Sequence, residues 1–150
     1  MSLGDIDLVM DANTLIREFA ATAYPNEGCG VLLGRFGGDR VEVVDASSGN
    51  NLNIERARDR YVLDPADIVR ADRDARQRYL DIVGFWHSHP DHPARPSQFD
   101  TDHAWVDYLY IIVNTTADGA GDLNGFTLVE EGGEFRRLPL VVTPKAGSAE

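Results

Sequence analysis

Cysteine and lysine are almost missing from this chain of 150 residues: Cys29 and Lys145 are the only ones. A lone cysteine excludes an intramolecular disulfide, which fits a reducing compartment. It also excludes every zinc site that needs two thiolates, and with them the zinc nucleobase deaminases. Long apolar runs are missing too, so no segment reaches the length of a membrane span. Positive charge is scarce, with 14 basic against 25 acidic residues and a formal net charge of −11. A nucleic-acid backbone or an anionic membrane surface is therefore a poor partner. Asp outnumbers Glu by 17 to 8, and arginine supplies 13 of the basic residues. Such acidic, lysine-poor composition suits a protein whose self-repulsion is screened by salt. Ordinary acidity with arginine-rich codon usage explains it as well.

Hydrophobic residues make up 43% of the chain, enough for a folded core. The length suits one domain over residues 1–150, with a core from about 13 to 140 and a loose tail over 144–150. Met1-Ser2-Leu3 reads as a leader. The acidic start lacks the layout of a secretory signal, so a cytoplasmic location is expected. Helical spacing of Leu15, Ile16, Phe19 and Ala23 predicts a helix over about 13–23, closed by Tyr24-Pro25. Val31–Leu33 and Val41–Val44 read as strands around a turn at Gly37-Gly38-Asp39. Residues 46–60 are polar, and Tyr61-Val62-Leu63 looks strand-like. A second helix follows, with Asp64 as cap, Pro65 in first position and Asp67 in the first turn. Ile68, Ala71 or Asp72, Ala75 and Tyr79 recur on one face, while Arg70, Arg73, Arg76 and Arg78 face water. Ile82–Trp86 and Leu109–Val113 read as strands buried on both faces. Residues 114–125 read as a long loop and a possible lid. Phe126–Val129 and Phe135–Leu138 suggest a hairpin around Gly132-Gly133. The fold class is mixed α/β, one sheet with helices packed on it.

The segment that carries chemistry runs from Trp86 to Asp100. Three of the four histidines, His87, His89 and His92, fall within six residues. His87 and His89 alternate along an extended chain, so both imidazoles reach one side as they leave a strand end. Ser97 and Asp100 share a face of a short helix begun at Ser97. Two imidazoles and one carboxylate form an open, catalytic type of zinc site, since structural sites fill all four positions. A single carboxylate leaves net positive charge, which lowers the pKa of a bound water. The residues alone leave His103 and His92 as rival third ligands. They also leave Glu27 as an acid in a Gly-rich turn and Cys29 as either a buried strand residue or a neighbour of the metal. Trp86 belongs to the core or borders the cleft.

His87-x-His89, seven residues, then Ser97-x-x-Asp100, with Glu27 upstream beside the first strand, resembles the JAMM motif of the JAMM/MPN-plus metalloprotease family. The resemblance spans roughly residues 13–140 and is nearest to the short stand-alone bacterial type. It implies one JAMM/MPN domain, a mixed sheet flanked by helices with cytidine-deaminase-like layering. It further implies one Zn2+ per chain on His87, His89 and Asp100, with Glu27 as proton shuttle and Ser97 as oxyanion donor. The implied reaction is hydrolysis of a peptide or isopeptide bond, with a ubiquitin-like sulfur-carrier protein as substrate. Two alternatives stand beside it: a peptidase for unrelated peptides, and a metal-free scaffold that binds protein partners. A homo-oligomer is compatible with the sequence.

Overall fold

A computed structural model of the chain describes residues 3–144. The chain opens with strand β1 (Asp5–Val9), which runs straight into helix α1 (Met10–Ala23). A hairpin follows, β2 (Cys29–Gly37) and β3 (Arg40–Ser48), turning at Gly38 with φ +63°. Helix α2 (Pro65–Gln77) begins as expected: the Asp64 carboxylate accepts the Ala66 N–H, and Pro65 stands in first position. Strand β4 (Asp81–Pro90), the short helix α3 (Gln98–Asp102) and strand β5 (Leu109–Thr116) come next. Strands β6 (Gly119–Leu128), β7 (Phe135–Leu138) and β8 (Leu140–Thr143) complete the chain.

All eight strands form one sheet in the order β7-β6-β5-β4-β2-β3-β1-β8. The pairs β1–β3, β1–β8 and β4–β5 are parallel and the others antiparallel. The two edge strands are consecutive in the chain and separated only by Pro139. One residue cannot span a flat eight-stranded sheet, so the sheet is rolled until its edges approach. Gly125 on β6 accordingly lies against Ile6 of β1, where an added Cβ would come 2.2 Å from the Ile6 Cδ1 atom. Helix α1 packs on the inner face, with Ala12, Ile16 and Ala20 against Ile6, Leu8, Leu32, Val43, Trp86 and Ile111. Helix α2 covers the other face, with Ala71 and Ala75 against Val31, Leu33, Phe85 and Tyr110. Each buried Ile, Leu or Phe stabilises the fold by about 1.5–3 kcal/mol.

The mixed α/β class and helices on one sheet agree with the sequence reading, which several local features correct. Residues 114–125 are no loop: they carry the end of β5, a two-residue turn and most of β6. Their Gly, Asp and Asn content reflects a half-exposed hairpin whose turn closes at Gly119, φ +120°. Tyr61–Leu63 forms no strand beyond a single bridge from Leu63 to Asn51. Tyr79 lies past the end of α2, exposed and at φ 56°, so it is not on the helix's apolar face. Strands β1 and β8 went unforeseen. Leu3 is buried in the inner cluster and is no part of a loose leader. Met1, Ser2 and residues 145–150 of the expected tail lie outside the described residues.

Candidate metal centre

His87 and His89 lie within β4, not beyond its end. The strand continues to Pro90 because its neighbours continue: His87 pairs with Cys29 of β2 and Ile112 of β5, and His89 pairs with Asn114. Alternation sends Trp86 and Ser88 to one face and the two imidazoles to the other. On the inner face the Trp86 indole N–H donates to Ser47 O at 2.9 Å, and its ring stacks on Phe19. Trp86 therefore belongs to the core. Gly30 makes room for it: a Cβ there would sit 2.3 Å from the indole nitrogen.

Asp100 reaches the same point from α3. Ser97 caps this helix in a closed box: its hydroxyl oxygen accepts the Asp100 N–H at 3.1 Å, and Asp100 Oδ2 accepts the Ser97 N–H at 2.9 Å. The box turns the carboxylate inward. His87 Nε2 stands 3.2 Å from Asp100 Oδ1, His89 Nε2 stands 3.0 Å from Oδ2, and the two Nε2 atoms are 3.2 Å apart. All three residues are buried. Among the described residues this is the one group of three or more His, Cys, Asp or Glu side chains whose donor atoms converge.

The protons show what belongs at that point. Pro93 O can only accept, so His89 Nδ1–H donates to it at 2.9 Å. In the neutral ring, Nε2 is then a bare lone pair facing a carboxylate oxygen and a second imidazole. Converging lone pairs repel unless a cation lies between them. Donors about 2.0–2.2 Å from one tetrahedral ion stand roughly 3.3 Å apart, close to the spacings seen. The residues fit a metal ion, and the carbonyl of Pro93 fixes the ring as outer partners of metal-bound histidines do. Burial pulls the His87 imidazole below its usual pKa despite attraction to Asp100. Burial alone would raise the Asp100 carboxyl, but His87, His89 and the Ser97 N–H outweigh it and hold the group well below the usual range.

Glu27 precedes β2 and is positioned through its backbone. Ser88, fully buried between the two histidines, accepts the Gly28 N–H at 2.7 Å through its hydroxyl, and its own N–H donates to Gly28 O at 3.0 Å. These bonds extend the β2–β4 ladder and set Glu27 beside the converging donors. The Glu27 carboxyl is buried, and its Oε1 has no hydrogen-bond partner. Burial, then the charges of Asp100 and Asp59, push its pKa up to about 9. Glu27, His89 and Ser97 line one cleft. Ser97 is exposed there, and because its oxygen accepts in the cap, its hydroxyl proton remains free to donate.

The other candidates separate clearly. His103 caps the C-terminal end of α3, exposed, with its Nδ1–H donating to Phe99 O at 2.8 Å. His92 is exposed on the loop after β4. Cys29 is fully buried, and burial, followed by the Glu27 charge, raises its thiol to about 12.

Three contributors went unforeseen. Ser88 carried only the weak signal of a small polar residue between two histidines. Tyr61 stacks on His87 with ring centroids 4.5 Å apart. Asn51 anchors the polar segment over the site: its side-chain N–H groups donate to Glu27 O and Arg60 O, and its oxygen accepts the Asn53 and Val62 N–H groups. An isolated Asn in a polar stretch gives no pattern from which to predict such a hub.

Comparison with known proteins places this geometry in context. Residues 11–128 match the family described as prokaryotic homologues of the JAB domain. A desampylase from Haloferax volcanii is 35% identical over 147 residues, covering 95% of this chain and 99% of the relative. The solution structure of a Desulfitobacterium hafniense protein superposes with a TM-score of 0.82 at 27% identity, covering 95% of each chain. That of a Salinibacter ruber protein gives 0.72 at 36% identity, covering 91% of each.

Proposed function

The chain belongs to the family of prokaryotic homologues of the JAB domain, and from that premise we propose that it is a zinc-dependent isopeptidase of the JAMM type. The observation that carries the reading is the convergence of His87, His89 and Asp100 beside the unpartnered carboxyl of Glu27. His87, His89 and Asp100 would hold the zinc, leaving one position for water. When bound, zinc supplies Lewis acidity, making water nucleophilic near neutral pH and polarising the scissile carbonyl.

The chain's own groups do the rest. Glu27 takes the water's proton and delivers it to the leaving amine. A group moving a proton in both directions works best with a pKa near the working pH. Burial raises that of Glu27, and a nearby cation draws it back down. Ser97 donates its free hydroxyl proton to the oxygen of the attacked carbonyl, a contribution of about 2.7–4 kcal/mol in comparable sites. The Asp100 box keeps that hydroxyl at the cleft. Tyr61 and the segment pinned by Asn51 shield His87 from solvent.

Likeness to the desampylase supports a conjugate as substrate. We assign it as the C-terminal adduct of a ubiquitin-like sulfur-carrier protein. Cleavage of such a fusion alongside unrelated peptides checks this: equal rates on both would favour a general peptidase.

Substitution Glu27→Gln tests the mechanism. The variant is expected to retain about one zinc per chain by elemental analysis, while turnover falls by about 10²–10⁴-fold. Undiminished turnover, or wild-type protein isolated without chelators and free of zinc, would sink the proposal.

A further inference from the structure

The chain carries a formal charge of −11, yet arginines gather at the mouth of the cleft. Arg56, Arg60 and Arg95 line it together with Glu27, His89 and Ser97, and Arg58 lines the adjoining hollow. Arg56 is held by Asp59. Among the described residues Arg58, Arg60 and Arg95 have no carboxylate partner, whereas Arg35, Arg40, Arg70, Arg76 and Arg78 are paired. Away from the cleft Arg73 also has none, and Arg17, Arg136 and Arg137 bind only neutral oxygens. Two guanidinium groups without a carboxylate partner, Arg60 and Arg95, thus stand at the cleft, where the lining acids are Glu27 and the Arg56-bound Asp59. Arg58, in the adjoining hollow, stands among Glu55, Asp59 and Asp91.

Arg60 and Arg95 sit on backbone tied to the reacting groups. The Asn51 side chain bridges Arg60 O and Glu27 O, and the Arg60 guanidinium lies over the Phe99 ring at 4.7 Å. Arg95 follows Pro93, whose carbonyl orients His89, and Ala94, whose carbonyl accepts from Asn124 at 2.9 Å. The backbone at both positions is fixed, and neither guanidinium has a carboxylate within ion-pair distance among the described residues. Guanidinium groups bind carboxylates in a bidentate fork. A positive opening in a negative surface focuses the field and steers acidic groups inward. A long polyanion would meet the acidic surface beyond the mouth, so a short acidic stretch is the better fit.

We propose that Arg60 and Arg95 form a carboxylate-recognition site, selecting protein substrates with acidic side chains within a few residues of the scissile bond. This rests on the isopeptidase reading for its placement beside the scissile bond, but it can be tested without turnover. Two fluorescent peptides would be compared, identical except that Asp and Glu in one are Asn and Gln in the other. With the Glu27→Gln protein, anisotropy is expected to show about tenfold tighter binding of the acidic peptide. Arg60→Ala/Arg95→Ala should erase that preference, and Arg60→Lys/Arg95→Lys should keep part of it. With active protein, the alanine pair should lower kcat/KM for the acidic peptide and spare the amide one. Equal binding of both peptides by the parent protein would overturn the inference, as would equal losses for both in the alanine pair. Binding of a labelled oligonucleotide as tight as that of the acidic peptide would overturn it too. Peptide discrimination without any cleavage would leave the inference standing and sink the isopeptidase reading instead.

Discussion

At the residue scale, the centre is decided by where protons can and cannot be. His89 spends its Nδ1 proton on Pro93 O, which leaves Nε2 bare toward Asp100. Glu27 is the opposite case, a buried carboxyl with an unsatisfied oxygen and a pKa pushed from 4.5 to about 9. The raised value has a thermodynamic consequence. Above pH 4.5 the unfolded chain releases this proton while the folded metal-free chain keeps it. Its contribution to stability is therefore complete below pH 4.5 and is lost as pH rises toward about 9. Gln at this position cannot ionise. In chelator-treated protein, the Tm advantage of Glu27→Gln over the parent should widen between about pH 5 and about pH 9. A gap that stays constant across that range would show that the carboxyl is not held protonated.

At the element scale, α3 has only five residues, too few to be stable by itself. Its capping box holds it, and the same box aims Asp100. On the proposed mechanism Ser97 has two separable duties. Ser97→Ala should cost about 1 kcal/mol of stability through the lost cap, and also turnover. Ser97→Gly keeps an acceptable N-cap but has no side-chain donor. It should cost only a few tenths of a kcal/mol in stability and still lose about 10²–10³-fold in kcat. If Ser97→Gly turned over at the parent rate, the serine would be a cap alone. Strand β4 shows the same economy: one alternating run sends Trp86 into the core, His87 and His89 into the site, and Ser88 across to Gly28.

At the scale of the whole molecule, charge and closure oppose each other. Rolling the sheet brings β7 and β8 together at Pro139 and compacts a chain of net charge −11. Self-repulsion at that charge destabilises the compact state, and salt relieves it. Between about 0.1 and about 1 M NaCl the screening length falls from about 10 to about 3 Å. The Tm of the metal-loaded protein should climb by several degrees over that range in a thermal melt. A flat or falling curve would show that the acidic surface is already balanced by its ion pairs.

The sequence determined much of this by itself, because local periodicity and spacing carry local information. Alternation put His87 and His89 on one side. Asp64-Pro65 marked the start of α2, and Ser97-x-x-Asp100 marked a cap. The interval between those pairs, with Glu27 upstream, was enough to recognise the family. Other features needed tertiary structure, since they depend on partners distant in sequence. Strands β1 and β8 are short, and they count as strands only because they pair with β3 and with each other. The hairpin over residues 114–125 looked like a loop because its polar residues sit on a half-exposed strand. Ser88, Tyr61 and Asn51 acquire their roles from neighbours between 24 and 60 residues away in the chain. Glu27 is the clearest case. Its identity was legible, but its burial and its unpartnered oxygen exist only where β2, β4 and the Asn51 segment exclude water.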